Sequence, residues 1–210
     1  PALRQLFAWQ GVPVKVIDDG IKIFAIGSFI SAGLGFPMRE TMLAAGLTRN
    51  IEKILSEYPK RQTPTGYFNS QDGEWDSNGQ AIWTLTTHIQ RTGNLDLLRD
   101  SWNAIEKGAE WIVKKRKQGP DGKILPAGFS AEHLGPSDFY YWDNFWSIAG
   151  LREASRSAQI LGKSAEEKRF KKEAEAFTAD LIEISKADRK KYGLMTAAPG
   201  RPEDPGMIGN

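Results

Sequence analysis

Acidic and aromatic residues stand together at two places in the chain, Gly73 to Trp83 (GEWDSNGQAIW) and Leu125 to Trp146 (LPAGFSAEHLGPSDFYYWDNFW). Each segment runs directly into an apolar stretch of helical character. A carboxylate accepts hydrogen bonds from hydroxyl groups, and a carboxylic acid can hand a proton to a bridging oxygen. An aromatic face packs well on an apolar ring face such as the C–H face of a pyranose. The side chains with this chemistry are Glu74, Trp75 and Asp76 in the first segment, and Glu132, Asp138, Tyr140, Tyr141, Trp142 and Asp143 in the second. Their pattern points to a carbohydrate ligand held at the N-terminal ends of helices.

The elements that must position these residues are legible from apolar spacing. Leu47, Ile51, Ile54 and Tyr58 form one stripe, Leu98, Trp102, Ile105, Ala109 and Ile112 a second, and Phe170, Ala174, Phe177, Leu181 and Ile184 a third. Steps of three and four residues mark helices with one buried face. Between them, Ile21 to Leu34, Gln80 to Thr92 and Phe139 to Leu161 are apolar or aromatic on several faces, so they are expected to be buried helices. Asn94 is placed to cap the second one-sided helix. Ser164 with Glu167 spells a capping box for the third, just after Gly162 stops the helix before it.

Asp19-Gly20, Trp75-Asp76, Trp142-Asp143 and Asp204 to Gly206 each precede a buried-type segment, roughly 55 to 70 residues apart, the signature of a repeated structural unit. Only Gly11 to Ile17 and Lys123 to Leu125 have the makings of short loop strands. The expected fold is therefore all-α, one domain over residues 1–210. Inner and outer helices alternate in hairpins that can curl into a toroid, with the acidic loops gathered at one mouth.

Composition excludes several function classes. A net charge of +2, with basic and acidic residues interleaved, gives no stripe for nucleic acid. The run Lys114-Lys115-Arg116-Lys117 reads as a solvated helix C-terminus. With no cysteine there is no disulfide, thiolate metal site or thiol nucleophile. His88 and His133 stand alone, so neither a metal nor a cofactor is expected. The longest apolar stretch, Ile21 to Met38, is broken by Lys22, glycines and serines, which argues against a membrane span, and the first residues lack a signal-peptide pattern. A cytoplasmic location follows as the expectation.

GEWDSNGQAIWTL, followed by an outer helix and then SAEHLGPSDFYYWDNFWSIAGLREA, resembles the (α/α)6-barrel glycoside hydrolases, most closely the glucoamylase-like family 15 and its family 63 relatives. The likeness runs from about Leu47 to Asn210. It implies an inverting hydrolysis of α-linked glucosides, with one carboxylic acid protonating the leaving oxygen and a second carboxylate activating water. The loop in which that family carries its acid corresponds here to Glu132 to Asp143. Asp138 is the expected acid and Glu132 its rival. Trp75, Asp76, Tyr140, Tyr141, Trp142 and Asp143 are the expected substrate contacts. The family's base lies in the last third of the barrel, so it is expected outside this chain. The chain then covers part of the toroid, or closes it by self-association. One departure is the first buried segment, IKIFAIGSFISAGLGF, which lacks the Arg-Asp pair these families often place there. Two alternatives stay open, a noncatalytic carbohydrate-binding module and a sugar epimerase or family 65-type phosphorylase on the same toroid.

Overall fold

The computed structural model describes residues 48–70, 72–129 and 136–202. The chain divides into two compact units, Pro1–Arg61 and Gln62–Asn210, where the sequence reading has one domain over 1–210. In the first unit, helix α1 (Thr48–Leu55) leads into a 3-10 turn at Tyr58–Arg61. Ile51, Leu55 and Tyr58 are its buried residues, so the stripe runs through Leu55, and Ile54 is only half-buried. Leu47, the acidic pair at Asp19-Gly20, the segment Gly11 to Ile17 and the expected buried helix Ile21 to Leu34 lie outside the described residues.

The second unit contains α2 (Ser77–Thr92), α3 (Leu95–Arg116), α4 (Tyr141–Ile160) and α5 (Ser164–Tyr192), with a 3-10 turn at Pro120–Gly122. The all-α expectation holds among the described residues, where isolated β-bridges occur but no strand does. Lys123 to Leu125 accordingly forms no strand. No described helix is long and apolar enough to cross a membrane.

Helices α3 and α5 bury one stripe each. On α3 this is Leu98, Trp102, Ile105, Ala109 and Ile112, as the spacing predicts. On α5, Phe170, Ala174, Phe177 and Leu181 are followed by Ser185 and Asp188 in place of Ile184. Helices α2 and α4 pack against each other, α3 lies on both, and α5 lies on α4. The Asn94 side chain accepts from the Leu97 N–H at 3.0 Å and caps α3. The capping box at Ser164 does not form: Ser164 is already the first helical residue, and the backbone carbonyl of Lys163 takes the Glu167 N–H at 3.0 Å. The basic run is not uniformly solvated either. Arg116 is buried, paired with Asp180, bonded through Nε to the Lys123 carbonyl at 2.9 Å, and stacked 4.5 Å from the Phe177 ring centre.

The buried faces of α2 and α4 are richer in polar groups than their apolar pattern suggests. Ser77, Asn78, Gln80 and Thr86 on α2 and Asp143, Asn144, Ser147 and Ser157 on α4 are all buried. The two helices also approach closely. A Cβ placed on Gly79 would stand 2.0 Å from the Trp146 carbonyl oxygen, and one on Gly150 would stand 2.7 Å from the Gly79 Cα. At that crossing the backbones leave no room for a side chain between them.

Gly79→Ala should therefore force the helices apart and lower stability by about 2–3 kcal/mol or more. Ala149→Gly, beside Gly150 but outside the contact, should cost only the helix-interior glycine penalty of about 1 kcal/mol. Urea unfolding of the two variants checks the contrast.

Candidate functional site

The α2–α4 contact sets the N-terminal turns of the two helices side by side. Asp76 occupies the N-cap position of α2 but makes no side-chain cap bond. Its Oδ2 instead accepts from Trp142 Nε1, in the first turn of α4, at 2.7 Å, and from Gln80 Nε2 one turn along α2. One carboxylate oxygen thus joins the WDSNGQ segment to the YYWDNFW segment across 66 positions of sequence. Trp142 meets Trp146 edge to face at 5.8 Å, and Trp146 meets Trp83 of α2 in the same way at 5.6 Å. The three indoles form a ladder along the seam.

Each of these helices also begins with a buried asparagine that grips an incoming loop by its backbone. Asn78 Oδ1 accepts the Phe68 N–H at 2.7 Å, while its Nδ2 donates to the carbonyls of Gly66 and, on α3, Gly108. Asn144 Oδ1 accepts the Leu125 N–H at 2.9 Å and its Nδ2 donates to the Tyr140 carbonyl. The second grip fixes the start of a loop, 125–129, that opens the second acidic-aromatic segment. Within it, Gly128 exchanges both backbone hydrogen bonds with Asp138, at 2.9 and 3.0 Å. The Trp75 indole lies against the same glycine, so close that an added Cβ would sit 2.5 Å from the ring. Trp75 Nε1 donates to the Ala127 carbonyl at 3.2 Å. Gly128 therefore meets both Trp75 and Asp138.

Asp138 uses both side-chain oxygens as acceptors. Oδ1 takes the Phe139 N–H at 2.7 Å and Oδ2 takes Arg201 NH1 at 2.9 Å. Arg201 reaches it because the turn 196–201 is anchored from α4 and α5. Tyr141 donates its N–H to the Ala197 carbonyl, and the Arg201 N–H bonds the Ala198 carbonyl. Tyr140 packs with Ala197 and Ala198. At the centre of the anchor, buried Asp188 accepts from the hydroxyls of Tyr141 at 2.9 Å and Thr196 at 2.6 Å, and from the Gly200 N–H at 2.9 Å. Burial works to raise the Asp188 carboxyl, but these hydrogen bonds, with the charge of Lys191, outweigh it and hold the group below the usual carboxylate range. Burial, the hydrogen bond to Asp188 and its charge push the Tyr141 hydroxyl well above its ordinary value, so it remains a donor.

The expected site residues thus fall into three groups. Asp76 and Asp143 are each 1% exposed, as is Glu74, so these carboxylates are built into the wall and closed to solvent. Tyr140 and Tyr141, at 1% and 2%, have no ring face free to stack on a sugar. Their hydroxyls bond Pro136 and Asp188, and they hold the site in shape. Asp138, with 26% of its side chain exposed, and the half-buried Trp75 and Trp142 are the groups that solvent reaches. Glu132 and His133 lie outside the described residues, as does Asp204. His88 is buried three turns along α2, and among the described residues no cluster of three or more His, Asp or Glu is disposed to hold a metal ion.

Sequence reasoning missed Arg201, Gly128 and the two asparagines. Only the asparagines left a signal, since each follows within two residues of an aspartate, at Asp76 and at Asp143.

Two measurements probe this architecture. Trp142→Phe keeps a six-membered aromatic ring but removes the pyrrole N–H that Asp76 accepts, and should cost about 1–3 kcal/mol in denaturant unfolding. Because the native Asp188 value is depressed, its stabilisation is fully present above the unfolded carboxyl value of about 4 and is lost as pH falls through the lower native value. Stability measured from about pH 5 down to about pH 2 should therefore fall less steeply in Asp188→Asn than in the wild type.

No protein-family model, curated protein or solved structure matches the chain.

Proposed function

We propose that the helical hairpins belong to an (α/α)6 toroid and that the mouth formed by the first turns of α2 and α4 serves an inverting glycoside hydrolase acting on α-linked glucosides. The observation that carries this reading is the meeting of the two acidic-aromatic segments. Asp76 bonds Trp142, and Trp75 and Asp138 both contact Gly128. A partly exposed carboxyl group beside partly exposed indoles is the equipment for seating a sugar ring and transferring a proton next to it.

In this scheme Asp138 is the proton donor and Trp75 and Trp142 provide stacking faces. Asp76 and Asp143 act from within the wall by fixing the helix ends. Both oxygens of Asp138 accept hydrogen bonds in the ligand-free arrangement, which is the pattern of a carboxylate. To act as an acid, the group releases Arg201, takes a proton from solvent and passes it to the glycosidic oxygen as the bond to the sugar breaks, returning to the carboxylate. Arg201 is thus a positioning residue that keeps the carboxyl group aimed. Glu132, in the same loop, is the alternative donor.

Inversion also needs a carboxylate that activates water from the opposite side of the ring. Glu74, Asp76 and Asp143 are too buried for that work. That Asp138 is the one partly exposed carboxylate among these four supports a second reading, a carbohydrate-binding module without turnover.

The test is hydrolysis and binding of maltotriose by the full chain. Asp138→Asn should lower kcat by about 10²–10⁴-fold with little change in affinity, the range for loss of a general acid. Near-normal turnover in that variant together with a comparable loss in Glu132→Gln moves the acid to Glu132. Binding with no turnover in the wild type favours the module, and phosphate-dependent release of a sugar phosphate identifies a phosphorylase.

A further inference from the structure

Trp75 belongs to an aromatic cluster that extends from the mouth onto α3. Tyr67 and Trp111 stack nearly parallel, 4.5 Å apart and 9° from coplanar, and Trp75 stands tilted to both at about the same distance, 6.1 and 6.0 Å. Above Trp75 lies the ammonium group of Lys115, 3.5 Å from the ring centre and 5.8 Å from that of Trp111. Lys115 is half-buried, and among the described residues its ammonium has no carboxylate partner and no hydrogen bond; the indole faces are what it contacts. Burial pushes it below the usual lysine range. A cation that gives up water without gaining an anion is held weakly, at the scale of a cation–π contact.

The indole, by contrast, is fixed. Its edge is wedged against Gly128 and its Nε1 is tied to the Ala127 carbonyl. If one of the two partners gives way, it is the lysine, whose four-carbon stem swings freely. The tyrosine below is equally settled, because its hydroxyl donates to the Glu74 carbonyl.

We infer that the Trp75 face is a sugar-stacking subsite occupied at rest by Lys115, and that an incoming pyranose ring displaces the ammonium before it can stack, with Trp111 extending the platform. The inference rests on the carbohydrate reading above and adds to it a competing group supplied by the protein itself. The lysine is a specificity device. It disfavours ligands too small to replace the cation–π contact with a full ring contact.

The experiment uses the full chain with maltotriose as probe, followed by calorimetry and by acrylamide quenching of tryptophan emission. Lys115→Ala should bind about 2- to 30-fold more tightly than the wild type, the range set by the lost competing contact. Lys115→Arg, which keeps a cation over the ring, should stay close to the wild type. Lys115→Ala should also raise quenching without any sugar, and Trp75→Phe in the same background should abolish that rise, assigning it to one of the seven tryptophans. Unchanged quenching overturns the inference, because the ring was then not covered. Binding by the wild type that is equal or weaker in Lys115→Ala also overturns it while leaving the carbohydrate reading in place. Absence of binding in both proteins overturns the two together. Binding by Lys115→Ala alone supports both.

Discussion

The contact between Gly79 and Gly150 governs the rest of the second unit. Because neither residue carries a side chain, α2 and α4 approach until backbone meets backbone, with the Trp146 carbonyl filling the place a methyl group would need. That separation leaves no room for a side chain between the backbones at the crossing. It also decides what can meet at the helix ends. Asp76 and Trp142 reach one another because the axes lie this close, and the indole ladder of Trp142, Trp146 and Trp83 follows the same line. Buried polar groups on the same helices find partners beyond the pair, Asn78 at Phe68, Gly66 and Gly108 and Asn144 at Leu125 and Tyr140, which offsets the cost of leaving water.

The one-sided helices were legible in the sequence because solvent imposes a simple rule on them. The stripe on α3 is recovered residue for residue, and the Asn94 cap with it. The buried pair α2 and α4 was legible as buried but not as polar, since periodicity reports the presence of a face and not the distance to its neighbour. Two adjacent residues show the same limit at Tyr140 and Tyr141. Aromatic chemistry made them candidates for stacking, while tertiary packing placed their rings inside and turned their hydroxyls into anchors. Ser164 matched a capping motif, yet the helix begins at that residue and a backbone carbonyl does the work.

The candidate site was legible in part for a similar reason. Both acidic-aromatic segments are continuous in sequence, so their composition could be read directly. What joins them is not. Arg201 lies 63 residues from Asp138 and stands in a turn without periodicity, and it arrives only through the chain of contacts that runs from Asp188 to Thr196, Gly200 and Ala198. The orientation of Asp138, the one partly exposed carboxylate among the four described at the candidate site, therefore depends on a buried one in α5. A site assembled this way is fixed by hydrogen bonds that begin well outside it, and residues far from any ligand share responsibility for its shape.

The two asparagine grips carry an implication for how the mouth can change. Asn78 and Asn144 hold their loops by main-chain N–H and carbonyl groups, at Phe68, Gly66 and Leu125, and not by side chains. A grip of that kind sets no requirement on the loop side chains beyond excluding proline at the donor positions, which would remove the N–H, while Gly66 and Gly128 stay glycine because a Cβ there has no room. The loops can therefore exchange their outward-facing residues while retracing the same path. Helices α2 and α4 act as a chassis on which new recognition surfaces can be mounted, and divergence in ligand choice needs no change in the frame that presents it.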